Sequence, residues 1–233
     1  GKALQANIAV CDGTASFTLD ENERCTFLEK DGLCRLITEL GEGSLCNICA
    51  DHPRFRSFYS ERTETGLGLC CEAAAELVLS RQHKVTLVTL EDTGETLTLD
   101  EEYLLKYRNQ LFATAQDREF TVEERLENLA VLGGFDLPEK SFAEWAEIYL
   151  SLERLDGEWT DKLKLLKEAK GFDIPSSLQI PFEQLLIYLL YRHIPSALDD
   201  GDIASKIGFA VLSVRIIAAI LSQEKEQNFE RPY

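Results

Sequence analysis

All seven cysteines of this 233-residue chain lie within its first 71 residues: Cys11, Cys25, Cys34, Cys46, Cys49, Cys70 and Cys71. From about residue 83 onward the chain instead carries long runs with the apolar periodicity of helices. That asymmetry limits the fold to a cysteine-rich part joined to a helical part. The expected division is a cysteine-rich metal- or cluster-binding region over 1–83 and a helical domain over 84–233, with the segment to residue 100 as a join. The expected class is mainly α, with small β-hairpins in the cysteine-rich region and a helical bundle after it.

An odd number of cysteines, in a chain long enough to fold without staples and opening with no export signal, argues against a disulfide framework. Cys11 fits the role of a small buried hydrophobe. Cys46 and Cys49 in "CNICADHPRF" are different, because two intervening residues let both thiolates reach one metal from a tight turn. Cys25, Cys34 and Cys70 or Cys71 can supply further contacts from other loops. The residues alone leave zinc and iron–sulfur both open, and the lack of a well-placed histidine pair favours all-sulfur ligation. His52 reads as a turn residue.

Local signals mark several elements. In "NIAVCDGTASFTL" the Asp12-Gly13 pair between alternating runs predicts a two-residue hairpin, since glycine accepts the positive φ such a turn requires. "VTLVTLEDTGETLTL" alternates around Thr93-Gly94 and predicts a second hairpin. Thr121 with Glu124, and Ser141 with Glu144, have capping-box spacing and predict helices over "VEERLENLAVL" and "FAEWAEIYLSLERL". Pro181 suits the first turn of "PFEQLLIYLLYRHI", a helix so apolar that it belongs at the centre of the bundle. Arg192 and His193 on that helix read as packing residues.

Forty-one acidic against twenty-four basic residues give a net charge of −17, which disfavours nucleic acid and anionic membranes as partners. The longest apolar run, Ile203 to Leu221, is broken by Lys206 and Arg215 and reads as a buried helix rather than a membrane span, which needs roughly 18 unbroken apolar residues. With no secretory leader at its start the chain is expected in the reducing cytoplasm. It contains no methionine, even at position 1, and so reads as part of a longer frame. No glycine pair follows a strand and opens a helix as a dinucleotide loop must.

The stretches "CTFLEKDGLCRLITELGEGSLCNICADHPRF" and "GLGLCCEAAAELVLS" closely resemble the cysteine-rich region of the flagellin lysine N-methylase family, proteins with a zinc- or iron-chelating cysteine domain. The likeness continues through "QDREFTVEERLENLAVL", "LERLDGEW" and "FEQLLIYLLYRHIPSALDDGD". It implies an enzyme that transfers methyl groups from S-adenosylmethionine to lysine side chains of flagellin, with a bound iron–sulfur cluster of the four-iron kind, or zinc as the alternative. On this resemblance Cys25, Cys34, Cys46, Cys49 and Cys71 match the family's cysteines, and Pro53 and Arg54 match its proline–arginine pair. Cys70 stands where a serine is usual and Glu72 where a proline is usual.

The implied reaction is chemically plain. A sulfonium methyl is already electrophilic, so the protein has to align it with a lysine amine whose ordinary pKa of about 10.4 must be overcome. No radical is needed, and Glu42 stands where the first cysteine of a C-x3-C-x2-C radical motif would be. The planar fork of Arg54 could hold the cofactor's carboxylate or balance the charge of a thiolate-ligated metal. The rival reading is a non-enzymatic zinc module for protein interaction.

Overall fold

The computed structural model describes residues 5–11, 13–21, 24–92, 94, 96–137, 140–153 and 156–230. Two compact units divide the chain, Gly1–Arg54 and Phe55–Tyr233. The division of the fold at 54/55 and the compositional shift near 83 are thus different boundaries.

The first unit opens with strands β1 (Ile8–Cys11) and β2 (Thr14–Phe17), antiparallel and registered so that Cys11 faces Thr14. This is the two-residue hairpin read from the sequence; Gly13 adopts φ +79, and Asp12 lies outside the described residues. Two short helices follow, α1 (Arg35–Leu40) and α2 (Asn47–Asp51). Phe27 and Leu36 are the hydrophobic residues of this unit buried among those described. Phe17 packs edge-on to Phe27 at 5.0 Å, and the Arg35 guanidinium lies 5.6 Å above the same ring.

A hairpin that the sequence does not signal, β3 (Arg54–Phe58) paired with β4 (Thr63–Leu67), begins at the last residue of the first unit and otherwise belongs to the second. Helices then dominate: α3 (Glu72–Leu79), α4 (Leu99–Ala115), α5 (Val122–Gly133), α6 (Phe142–Ser151) and α7 (Gly157–Glu168). The chain ends with α8 (Gln179–His193), the short α9 (Ala197–Asp200) and α10 (Ile203–Glu230). The mainly helical class with small hairpins is therefore as expected. The capping boxes at Thr121 and Ser141 both form, each hydroxyl accepting from the backbone N–H of the glutamate three residues on.

The second hairpin expected around Thr93-Gly94 is a correction: the described residues between 84 and 98 contain no strand, and Thr93 lies outside them. Side chains take up backbone groups at the start of the expected first strand and just before it. The Gln116 amide both accepts from the Val85 N–H and donates to its carbonyl, and the Gln184 amide donates to the carbonyls of Arg81 and His83. At the far end, Thr98 caps α4 in a third capping box with Glu101, so the alternating residues end by starting a helix. The helix over "FAEWAEIYLSLERL" ends at Ser151, and its Arg154 and Leu155 lie outside the described residues.

One apolar cluster is built on α8, with Phe182, Leu186, Ile187 and Leu190 packed among Leu111, Leu126, Leu129, Val211 and Val214. A second cluster joins Ala146, Leu163 and Leu166 to Ile216, Ala219 and Ile220 of α10. Helix α10 thus serves both. By length and composition alone its Ile203–Glu224 stretch is long and apolar enough to cross a membrane, and 44% of the relevant window is buried within the fold.

Buried charges connect distant segments. Glu183 on α8 receives Arg125 of α5 at 2.8 Å and a two-pronged contact from Arg118. Glu64 on β4 receives both terminal nitrogens of Arg108 at 2.5 and 2.9 Å, and the Tyr59 hydroxyl donates to it at 3.3 Å. Burial, reinforced by that carboxylate, raises the Tyr59 phenol well above its ordinary range. Phe55 fills the space over Gly66, where an added Cβ would sit 2.4 Å from the ring, and packs against Tyr188 and Tyr191. Arg192 is exposed, lies 5.0 Å over Phe55 and donates to the Tyr188 hydroxyl; His193 stacks edge-on against Phe209 at 4.7 Å. Both are packing residues, as expected.

Two measurements check this scheme. Leu186 is fully buried, so Leu186→Asp removes apolar burial worth about 2–5 kcal/mol and adds an unpaired charge. The helical unit should lose its cooperative thermal transition; a melt like that of the parent would place Leu186 at a surface instead. Glu101 accepts from the Ser60 hydroxyl and N–H at 2.5 and 2.6 Å and from the Thr98 N–H at 2.8 Å. These bonds, the Ser60 hydroxyl first, lower its pKa from 4.5 to about 2. Because the folded value is depressed, the stabilisation is present above the ordinary carboxylate range and is lost as pH falls towards about 2. Ser60→Ala should lower the melting temperature near neutrality and converge with the parent near the acid end; a pH-independent difference would contradict the assignment.

Candidate metal centre

Tight turns bring the first unit's cysteines forward. Cys25 bridges to Leu19 and Cys34 to Leu28, and the Leu28 N–H donates to the Cys25 carbonyl at 2.9 Å. The turn between them is closed by Asp31, whose carboxylate accepts from the Leu33 N–H at 3.0 Å. Cys34 is the N-cap of α1 and Cys46 the N-cap of α2. Cys49, one turn further along, puts its sulfur 3.5 Å from that of Cys46.

The helical turn explains the electrostatics. Residues at the start of α2 have N–H groups without intrahelical partners, and the Cys46 sulfur receives those of Cys49 and Ile48. The Cys49 N–H is the leading cause, followed by the Cys49 thiol, and together they lower the Cys46 pKa. Cys49 moves the other way, to about 11, because it donates its own proton to Cys46; burial and the charges of Cys46, Cys25 and Cys34 raise it further. The pair therefore gives up its first proton more easily than an isolated thiol would and holds the second more tightly. A bound cation is the agent that would hold both as thiolates, and N–H donors to sulfur are a recurrent support for thiolate ligands.

The expected ligands therefore fall into two groups. Cys25, Cys34, Cys46 and Cys49 belong to the first unit, with Cys25 and Cys34 near enough to act on Cys49 electrostatically. Cys71 belongs to the second unit, half-buried as the N-cap of α3, and Cys70 beside it is exposed. Among the described residues no three His, Cys, Asp or Glu side chains converge closely enough to hold an ion. Cys11 is exposed, at the end of β1 rather than in a core, which corrects its reading as a buried hydrophobe. His52 caps the C-terminus of α2, in line with a turn role. Arg54 is exposed and donates to the Ala50 carbonyl at 3.2 Å, so it braces the end of the helical turn that carries the thiol pair.

A metal bonded to sulfur at about 2.3 Å in tetrahedral geometry separates two of its sulfurs by about 3.8 Å. The 3.5 Å between Cys46 and Cys49 fits two ligands on one metal atom. A cubane cluster takes one cysteine per iron, so its ligands stand further apart, and the pair fits zinc or a singly shared iron better than the four-iron cluster. The support of Cys46 by the Ile48 and Cys49 N–H groups was not read from the sequence; the Cys-x2-Cys spacing followed by a short turn is the signal that carries it. Comparison of the chain with protein-family models, with curated proteins and with solved structures finds no match.

In the metal-free protein at neutral pH, an alkylating reagent should modify Cys46 before Cys49, because the thiolate is the nucleophile. Adding zinc should protect both and release protons, measurable in weakly buffered solution. Equal alkylation rates with no proton release on adding metal would contradict the paired-thiol description.

Proposed function

We propose that the chain is an S-adenosylmethionine-dependent lysine N-methyltransferase acting on flagellin in the cytoplasm, with a thiolate-ligated metal centre in its first unit. What supports the activity is the sequence resemblance carried by Cys25, Cys34, Cys46, Cys49, Cys71 and the Pro53-Arg54 pair. What supports the metal is the Cys46–Cys49 contact of 3.5 Å in a unit with little apolar core. A segment of that size seldom folds on so few buried side chains without a staple such as a bound ion.

On this reading the metal cross-links the turns bearing Cys25, Cys34, Cys46 and Cys49, and the work on substrate is alignment and removal of the lysine's proton. S-adenosylmethionine supplies the electrophilic methyl group when bound. Arg54 would hold its carboxylate with nitrogens beyond the one engaged by Ala50. A second reading, a zinc-binding module for protein interaction without catalysis, is favoured by the same sulfur separation, since that distance suits a single tetrahedral ion.

Mass spectrometry of flagellin incubated with metal-loaded protein and S-adenosylmethionine should show methyl additions on lysine. Arg54→Lys should reduce the rate by about tenfold or more while leaving the melting temperature unchanged, because lysine keeps the charge and loses the two-pronged grip. Unmodified flagellin would leave the zinc-module reading in place, and a fully active Arg54→Lys would remove only that residue's role. Metal analysis after anaerobic purification, with or without inorganic sulfide, separates a cluster from zinc. Chelation should unfold the first unit while the helical signal in circular dichroism persists; an unchanged first unit would rule out the structural role of the metal.

A further inference from the structure

A cavity of about 540 Å³ lies wholly within the second unit, between the start of α6, the end of α7 and the face of α10 that carries Leu212 and Arg215. Its lining is anomalous for a chain of net charge −17. Lys140, Lys167, Lys170 and Arg215 line it against a single carboxylate, Glu168. Lys167 is already paired with Glu147, and Lys140 lies 5.7 Å over the Trp145 ring. Arg215 is different. It is half-buried, its Nε and Nη1 are shielded from solvent, and neither has a hydrogen-bond partner among the described residues. The indole N–H of Trp145, another lining residue, is likewise buried and without a partner among the described residues.

Solvated lysines on a helix surface need no explanation, but shielded donors without acceptors do. Buried N–H groups in folded proteins are satisfied as a rule, and a guanidinium out of water without a counter-ion is unfavourable. What the structure offers Arg215 is the Phe172 ring at 5.8 Å and the distant charge of Glu127. Burial accordingly lowers its pKa. An anion seated in the cavity would supply the missing counter-charge, which the arginine guanidinium meets well. The cavity is of the size that takes small molecules rather than a protein segment.

The geometry points to a binding site for a small organic anion, whose phosphate or carboxylate group meets the Arg215 guanidinium and whose remaining charge meets Lys140 and Lys170. The site goes beyond the methyl-transfer reading and does not depend on it, since every lining residue belongs to the helical unit.

Calorimetric titration of the full chain at low ionic strength, with ATP, citrate and inorganic phosphate as probes, tests the assignment. Saturable binding of ATP or phosphate identifies a phosphate site, and binding of citrate alone a carboxylate site; either supports the proposal. Arg215→Gln should weaken binding by about tenfold or more, whereas Lys106→Glu, at an exposed position on α4 outside the cavity, should leave it unchanged. Because two of its guanidinium nitrogens are shielded without an acceptor, Arg215→Gln should melt no lower than the parent. Should it melt lower, the double variant Lys140→Glu, Lys170→Glu, altering two exposed residues, serves instead with the same expected loss. No binding of any probe at millimolar concentration, or binding that neither variant weakens, overturns the proposal.

Discussion

Glu183 is a carboxylate held almost entirely out of water, and the helical unit is arranged around satisfying it. Arg125 comes from α5 and Arg118 from the turn after α4, 58 and 65 residues away in sequence. The neighbouring Gln184 reaches 103 residues back to the Arg81 carbonyl, and further along the same helix Tyr188 and Tyr191 meet Phe55 of the first hairpin of this unit. Apolar packing would tolerate some rotation of α8 about its axis. The polar residues do not, because turning the helix would leave Glu183 and Gln184 buried and unpaired. Hydrophobic burial drives α8 to the centre, and its buried polar side chains fix which neighbours it takes.

The two units handle charge in opposite ways. In the helical unit, the buried carboxylates of Glu64 and Glu183 meet guanidinium groups supplied by the chain. In the first unit the thiols of Cys46 and Cys49 meet each other, while Arg54 is turned to the Ala50 carbonyl and Arg35 to Phe27 and Glu29. A unit organised by bridges and tight turns, with two buried hydrophobic side chains among its described residues, has its unmet electrostatic demand where its structural support is thinnest.

How far the sequence disclosed this depends on whether the signal was local. The Asp12-Gly13 turn, the capping boxes at Thr121 and Ser141 and the apolar α8 were legible because each rests on residues within a few positions of one another. The Thr98–Glu101 box was equally local, but it followed alternating residues whose strand-like period masked it. The β3–β4 hairpin lacks an Asn-Gly or Asp-Gly turn and is held by Phe55 and Glu64, whose partners lie on α8 and α4. At the candidate site, the closeness of Cys46 and Cys49 followed from their spacing. That Cys25 and Cys34 come within electrostatic reach of Cys49 depends on the path of two turns, and no single spacing encodes it. Arg215 showed in the sequence only as an interruption of an apolar run; its shielded nitrogens exist because three helices converge there.

Helix α10 contributes Val211 and Val214 to one apolar cluster and Ile216 and Ala219 to the other. Neither cluster can open at this helix without exposing apolar surface of its neighbour. The pair should therefore behave as one cooperative unit, with amide hydrogens in the middle of α10 exchanging only through global unfolding. Substitutions on opposite faces of the same helix, although they touch different side chains, would then register in a single transition and share one unfolding barrier.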